Sequence, residues 1–169
     1  MIAIDAPLSL PKGLCCLEDS CPCQPISEVK GRNCERELRK QGIRVFPTTK
    51  KTWQAFKELT YRGIRLKTEL ETMGYKVIEV YPYASKLRLF GKPIPSKLNP
   101  DGLTFLKQRI YQLLPDITTY IDRFSHDMCD ATIAAYTAFL CSQGNTELCG
   151  ETEEGAICLP SLDRVTHDH

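Results

Sequence analysis

The chain has 169 residues, of which 42% are hydrophobic and 25% charged, and its formal net charge at pH 7 is +1. This composition is that of one ordinary globular domain and excludes a disordered or fibrous protein. No apolar run approaches the roughly 20 residues that span a bilayer, and the start MIAIDAPLSLP lacks the basic segment of a signal peptide, so we expect a cytoplasmic protein without a membrane segment.

The first half of the chain is predicted to contain one strand and two helices. Residues 1–5 read as a short buried strand, which the following prolines end because proline cannot donate a ladder hydrogen bond. Residues 13–27 show no period and are expected to form an irregular loop. A helix is predicted over about 31–42, and a longer amphipathic helix over 49–73, where apolar side chains recur at spacings of three and four.

The second half continues the alternation of strands and helices. The β-branched run YKVIEVYP is typical of a strand. Three further helices are expected, at residues 84–90, 101–114 and 127–142. Two short strands around residues 147 and 157 are predicted to form a closing hairpin. Strands separated by helices indicate an α/β fold with at least one parallel pair of strands.

Charge is unevenly distributed along the chain. Residues 30–67 contain twelve basic residues and three acidic ones, whereas the last 25 residues contain six acidic residues and one arginine. A basic middle permits contact with a polyanion such as a nucleic acid. The alternative is that these charges are the solvated faces of helices.

Acidic residues stand at positions where burial is expected. Asp5 ends the first strand, Glu79 interrupts an apolar strand face, and Asp127 and Asp130 share one face at the start of the last helix. Ligands of parallel α/β sheets gather beyond the carboxyl ends of the strands. Clustered carboxylates bind Mg²⁺ or Mn²⁺, which serve phosphate chemistry. These four residues are therefore candidate metal ligands.

Each of these acids also has a purely structural interpretation. Asp127 is a candidate N-cap, with Asp130 answering it at the third position of a capping box. Glu79 is a candidate partner for an arginine in a salt bridge.

Cysteines form a second candidate site. An odd total of nine without a secretory signal argues against a complete disulfide framework. Five of them lie within twenty residues: Cys15, Cys16, Cys21, Cys23 and Cys34. Their density suggests a structural Zn²⁺ site, with free thiols, a disulfide or an iron-sulfur cluster as alternatives. The terminal His-Asp-His at 167–169 is expected to be a frayed tail rather than a metal site.

Six ordered motifs resemble those of a known family. They are IDAPLSLP, RNCERELR, YRGIRL, VIEVYP, HDMCDATIAAYTA and EEGAICLP. In this order and spacing they are similar to the domain of unknown function 429 family, whose bacterial and archaeal members are described as predicted nucleases of ribonuclease H fold. The resemblance implies a ribonuclease H-like mixed sheet flanked by helices. It implies one domain over residues 1–160, with a Cys-rich loop at 13–34 and a tail at 161–169.

The resemblance also implies roles for individual residues. Asp5, Glu79, Asp127 and Asp130 would line one metal-dependent site. Arg32 and Arg62 fall in other shared motifs, where an arginine can bind phosphate through its bidentate fork. For these arginines a structural ion pair with Glu35 or Glu79 is an equal alternative.

The start of the chain departs from the family pattern. Members usually begin with a strand containing Gly-Ile-Asp, followed by a hairpin and a helix, and this chain starts at the next segment. The hypothesis is that its start site was assigned too late. Upstream DNA with an in-frame stop and no Gly-Ile-Asp segment would contradict it.

Three functions are compatible with these patterns. The first is a metal-dependent nuclease that hydrolyses phosphodiesters with Mg²⁺ or Mn²⁺ and has nucleic acid as its partner. The second is a non-catalytic nucleic-acid or protein binding module with a structural metal in the Cys-rich loop. Phosphoryl transfer on a nucleotide is the third. The patterns do not specify DNA against RNA or the oligomeric state.

Overall fold

A computed structural model describes residues 1–162 of the chain. The terminal His-Asp-His and most of the predicted tail lie outside the described residues. Four strands are present: β1 Ile2–Ile4, β2 Val77–Val80, β3 Thr146–Cys149 and β4 Ile157–Pro160. Six α-helices are present: α1 Asn33–Lys40, α2 Gln54–Thr72, α3 Pro82–Phe90, α4 Pro100–Leu113, α5 Thr118–Ile121 and α6 His126–Ser142.

The strands form one mixed sheet in the order β1-β2-β4-β3. β1 pairs parallel to β2 with Ile4 opposite Glu79, and β2 pairs parallel to β4 with Glu79 opposite Ile157. β3 and β4 form the expected antiparallel hairpin, with Leu148 opposite Cys158. The predicted α/β fold with a parallel pair is therefore confirmed. β1 lies at one edge of the sheet.

The alanines of α6 let this helix pack closely on one face of the sheet. Ala134 and Ala138 are buried against Ile78, Val80 and Cys158 of the two central strands. Small side chains permit this close approach, and each apolar contact that excludes water contributes to stability. This packing brings the start of α6 next to the end of β1.

Two further apolar clusters complete the core. On one side, Leu38 of α1 packs with Ala84 of α3 and Leu159 of β4. On the other, Ile110 of α4 packs with Ile133 of α6. The helical arm formed by α4 and α5 therefore rests on α6 and supports it from outside.

Two helix starts differ from the sequence expectation. α2 begins at Gln54 rather than 49, because the Thr52 hydroxyl donates to the Pro47 and Thr49 carbonyls and stabilises a turn instead. α6 is capped by Ser125, whose hydroxyl accepts the Met128 N–H at 3.2 Å. The interpretation of Asp127 as N-cap is therefore wrong. Among residues 1–162, no helix combines the length and the apolar character that a bilayer crossing requires.

Candidate active site and cysteine cluster

Asp5 and Asp130 lie near each other at the carboxyl edge of the parallel strands. β1 ends at Ile4, which makes Asp5 the first residue beyond the strand. Asp130 lies in the second turn of α6, and its charge acts directly on Asp5. This is the edge at which parallel α/β sheets bind ligands. The structure thus brings together two of the four predicted acids.

Two lysines pair with Asp130. Lys86 of α3 donates to Oδ1 at 2.8 Å, and Lys97 donates to Oδ2 at 2.5 Å. The Lys86 side chain is buried, whereas that of Lys97 is 52% exposed. Both lysines were missed from the sequence, where neither stands out from the charged residues around it.

The pKa values of the two aspartates are shifted in opposite directions. Loss of solvation is the main cause that raises the pKa of Asp5 to about 6, and the charge of Asp130 adds to it against the opposing effect of Lys97 and Lys86. Asp5 as a whole residue is nevertheless exposed to solvent. Burial would also raise the pKa of Asp130, but the hydrogen bonds from the two lysines outweigh burial and lower it. Asp130 therefore holds its charge at pH values where Asp5 takes up a proton.

Asp127 lies one turn before Asp130 on α6 and is exposed. The pKa of Lys97 is raised. Burial, the largest effect, opposes the rise, whereas the hydrogen bond and charge of Asp130 cause it, and the negative charge of Asp127 adds a smaller increase. Asp127 is thus close to the same lysine without pairing as tightly as Asp130. Asp127 lies on the solvent side of the Asp5 and Asp130 pair.

Glu79 is engaged by Arg32 in a buried two-point ion pair. The Arg32 Nη1 and Nη2 atoms donate to the two Glu79 oxygens at 2.7 and 2.6 Å, and the Leu8 N–H donates to the same carboxylate at 2.8 Å. The structure therefore adopts the arginine salt bridge that the sequence left as an alternative. Because Leu8 follows Asp5 closely, Glu79 also holds the chain just beyond the candidate site.

Arg32 also pairs with a second buried acid. Its Nε donates to Glu35 at 2.9 Å, and Glu35 also accepts the Thr48 N–H at 2.8 Å. Only 1% of the Arg32 side chain is exposed, so it does not reach a phosphate at the surface. Burial alone would lower the pKa of Arg32, but the Glu79 carboxylate raises it above its usual value. Arg62, the other predicted phosphate contact, lies exposed on α2.

Gly63 lets α2 touch the segment that follows Asp5. A Cβ atom at this position would lie 2.8 Å from the Pro7 carbonyl oxygen and 3.1 Å from the Ala6 Cβ. Any larger residue would push the helix and this segment apart. The glycine of YRGIRL thus acts in packing.

Glu154, one of the six acidic residues among the last 25, is buried. Its carboxylate accepts the Lys12 N–H at 2.7 Å and the Asn33 N–H at 2.5 Å. Asn33 is the first residue of α1, where unpaired N–H groups and the helix dipole favour an anion. The motif EEGAICLP therefore ties the start of α1 to the segment after β1.

Four cysteines of the long loop between β1 and α1 form a compact cluster. The Sγ atoms of Cys15, Cys16, Cys21 and Cys23 all lie within 4.8 Å of one another, so the cluster can hold a metal ion. The Cys15 and Cys21 sulfurs are 3.5 Å apart, beyond the roughly 2.05 Å of a disulfide. All nine cysteines are free thiols.

Cys34 does not belong to this cluster. It is fully buried in the core, and its carbonyl accepts the Cys149 thiol at 3.7 Å. Desolvation raises its pKa to about 12, which keeps it a neutral thiol. The inclusion of Cys34 among the candidate metal ligands is corrected to a core position, and the cluster has four members.

The loop of the cysteine cluster is anchored on α2. Leu17 is completely buried, and its N–H donates to the Tyr61 hydroxyl at 2.6 Å. Lys50 donates to the Cys21 carbonyl at 2.5 Å. The cluster is therefore joined to the same helix that packs on the segment after Asp5.

Comparison with known families gives one match. Residues 1–155 match the family described as Protein of unknown function (DUF429). The chain belongs to this family. Neither the curated proteins nor the solved structures gave a match, so the ribonuclease H-like relationship stays a prediction. The DUF429 match spans the four predicted acids, Arg32 and the cysteine cluster.

Proposed function

We propose that this DUF429 protein is a metal-dependent phosphodiesterase acting on nucleic acid. The observation that carries the proposal is the Asp5 and Asp130 pair at the carboxyl edge of the sheet, with Asp127 one turn away. Such carboxylates suit Mg²⁺ or Mn²⁺, which bind oxygen ligands. When bound, the ion supplies activation of a water molecule and stabilisation of the leaving oxygen.

The residues of the chain have separate roles in metal binding, orientation and phosphate binding. Asp5 and Asp130 would hold the ion, with the exposed Asp127 farther toward solvent, and buried Lys86 orients Asp130 through its 2.8 Å hydrogen bond. The Lys97 side chain is half exposed and, like that of any lysine, has a flexible four-carbon stem. It is therefore suited to leave Asp130 and bind a substrate phosphate. Glu79 has both oxygens engaged by Arg32, and we assign it a positioning role.

A cleavage assay tests this proposal. Purified protein is incubated with single- and double-stranded DNA and RNA in Mn²⁺, in Mg²⁺ and in chelator. Cleavage is expected only with metal. Asp130→Asn should fall to the level measured in chelator, whereas Asp122→Asn, an exposed aspartate outside the site, should cleave like the unaltered chain.

Two outcomes would overturn the phosphodiesterase. One is cleavage that survives in Asp130→Asn as well as in Asp122→Asn, which would identify a contaminant. The other is no cleavage of any substrate in either metal. The second outcome favours the binding module, which should bind nucleic acid equally well with metal or with chelator.

The cysteine cluster supports a structural zinc, which serves either function. Four thiolates at about 2.3 Å from a tetrahedral Zn²⁺ stand about 3.8 Å apart, and the observed limit of 4.8 Å agrees with that arrangement. A backbone hydrogen bond at Cys15 is the largest effect lowering the pKa of Cys23, to about 6. A thiolate is therefore available at neutral pH to bind the metal.

Metal analysis tests the zinc separately. A single zinc ion per chain is expected to survive gel filtration, and Co²⁺ in its place should show the visible bands of tetrahedral thiolate coordination. Cys21→Ser should lose this ion, while Cys141→Ser, which changes a cysteine outside the cluster, should keep it. Equal zinc content in both variants would contradict the site.

A further inference from the structure

An exposed aromatic cluster stands at the edge of the candidate active site. Phe46 and Trp53 contact edge to face with ring centroids 4.9 Å apart, and Phe56 follows Trp53 at 5.2 Å. Phe46 is 63% exposed and Trp53 is 51% exposed. We call Phe46, Trp53 and Phe56 the aromatic platform. Large apolar side chains grouped in water mark a binding surface more often than isolated ones do.

Two of the platform residues share a cavity with Asp5. Phe46 and Phe56 line a cavity of about 90 Å³ together with Asp5 and Tyr81. Tyr81 connects the two sides, because its hydroxyl donates to the Arg44 carbonyl at 2.8 Å. If a flat ligand group stacked on Phe46, the ligand atoms attached to that group would therefore lie beside Asp5.

The charge around the platform is positive. Residues 44–57 contain four basic residues and no acidic one. Lys57 is buried and paired with Asp19 at 3.7 Å, and the half-buried Lys50 donates to the Cys21 carbonyl, which leaves Arg44 and Lys51 exposed. An aromatic surface with exposed cations nearby in the chain, next to the candidate metal site, matches a nucleobase joined to an anionic backbone.

We infer that the aromatic platform stacks an unpaired base, so that the substrate or ligand is single-stranded nucleic acid. The inference rests on the proposed function only for the path of the nucleic-acid strand past Asp5. Stacking itself requires only the platform. In a duplex the bases already stack on each other and present their edges, so the platform discriminates against double strands.

Trp53 makes the inference directly measurable, because it is the single tryptophan of the chain. A short oligothymidylate is added to the full chain in chelator, so that binding is observed without cleavage. Saturable quenching of tryptophan fluorescence is expected with the single strand. A duplex of the same length should quench weakly and bind at least about 10-fold less tightly.

Matched variants separate stacking from charge attraction. Phe46→Ala retains the fluorescent reporter and should weaken oligothymidylate binding by about 5- to 100-fold. Tyr120→Ala removes an aromatic ring that is 61% exposed on α5, and it should bind like the unaltered chain. For Trp53, a labelled oligonucleotide measured by anisotropy should show weaker binding in Trp53→Ala and near-complete recovery in Trp53→Phe.

The outcomes distinguish this inference from the phosphodiesterase proposal. Equal affinity of Phe46→Ala and Tyr120→Ala, or equal binding of duplex and single strand, overturns the platform whatever the cleavage assay shows. Selective binding of the single strand that is lost in Phe46→Ala supports the platform even if no substrate is cleaved. In that case only the phosphodiesterase would fail.

Discussion

Replacing Arg32 with methionine tests whether the buried ion network organises the site. Arg32 pairs with both Glu35 and Glu79, whose side chains are 1% and 5% exposed. Methionine fills similar space without charge. Both carboxylates would then be left in the interior without their guanidinium partner, which is the costly way to break a buried pair.

The structure sets the size of the effect. Breaking a buried pair from one side costs about 3–5 kcal/mol, and Arg32 serves two carboxylates, so we expect about 4–5 kcal/mol of the free energy of unfolding. For a chain of this length that corresponds to a fall in Tm of about 8–20 °C. Surface pairs contribute less than about 1 kcal/mol.

Chemical and thermal denaturation followed by circular dichroism measures this loss. Arg65→Met is the matched control, because Arg65 meets Glu69 at 3.7 Å with both side chains more than half exposed. If Arg32→Met does not fold, Glu79→Gln replaces it, with an expected cost of roughly 1.5–3 kcal/mol for weakened charged hydrogen bonds. An Arg32→Met loss within about 1 kcal/mol of the Arg65→Met loss would refute the role assigned to the network.

Two further predictions concern the residues around Asp5. Folding raises the pKa of Asp5 from 3.8 to about 6, so its ionisation costs stability that is absent below the ordinary pKa and complete above about pH 6. Asp5→Asn should therefore raise Tm at neutral pH, leave it unchanged below pH 3.8, and abolish cleavage. Gly63→Ala should lower stability by about 1–3 kcal/mol, since the new methyl group would meet the Pro7 carbonyl oxygen, despite a helix propensity gain of about 1 kcal/mol.

Each of these predictions has a result that contradicts it. A lower Tm of Asp5→Asn at neutral pH would show that the carboxylate is stabilised by the lysines more than it is destabilised by Asp130 and by burial. For Gly63→Ala the control is Thr68→Ala, an exposed position on the same helix, which should change stability by less than about 0.5 kcal/mol. Equal stability of both variants would mean that α2 does not need to touch the Pro7 segment.

Local sequence patterns were sufficient for most elements of the fold. The strand VIEVYP and the helix with apolar side chains every three or four residues follow from interactions between near neighbours. The start of α2 was predicted too early because Thr52 side-chain hydrogen bonds compete with helix formation, and periodicity does not report that competition. The short helix α5 was not predicted at all.

The site was partly predictable for the same reason. Asp5 follows a strand and Asp130 lies near the start of a helix that packs on the sheet, so both were expected at one edge. The lysines that pair with Asp130 were not, since an inward lysine is recognised only when its partner is known. Lys86 is 44 residues from Asp130.

By itself, the sequence determined the alternation of strands and helices, the acids at the sheet edge and the family. Only the tertiary structure decided that Glu79 pairs with Arg32, 47 residues away, and that Cys34 enters the core while four other cysteines converge. The physical reason is that a buried charge or thiol takes its properties from whichever distant group folding brings against it. The spacing of residues along the chain does not show which distant groups will meet in the fold.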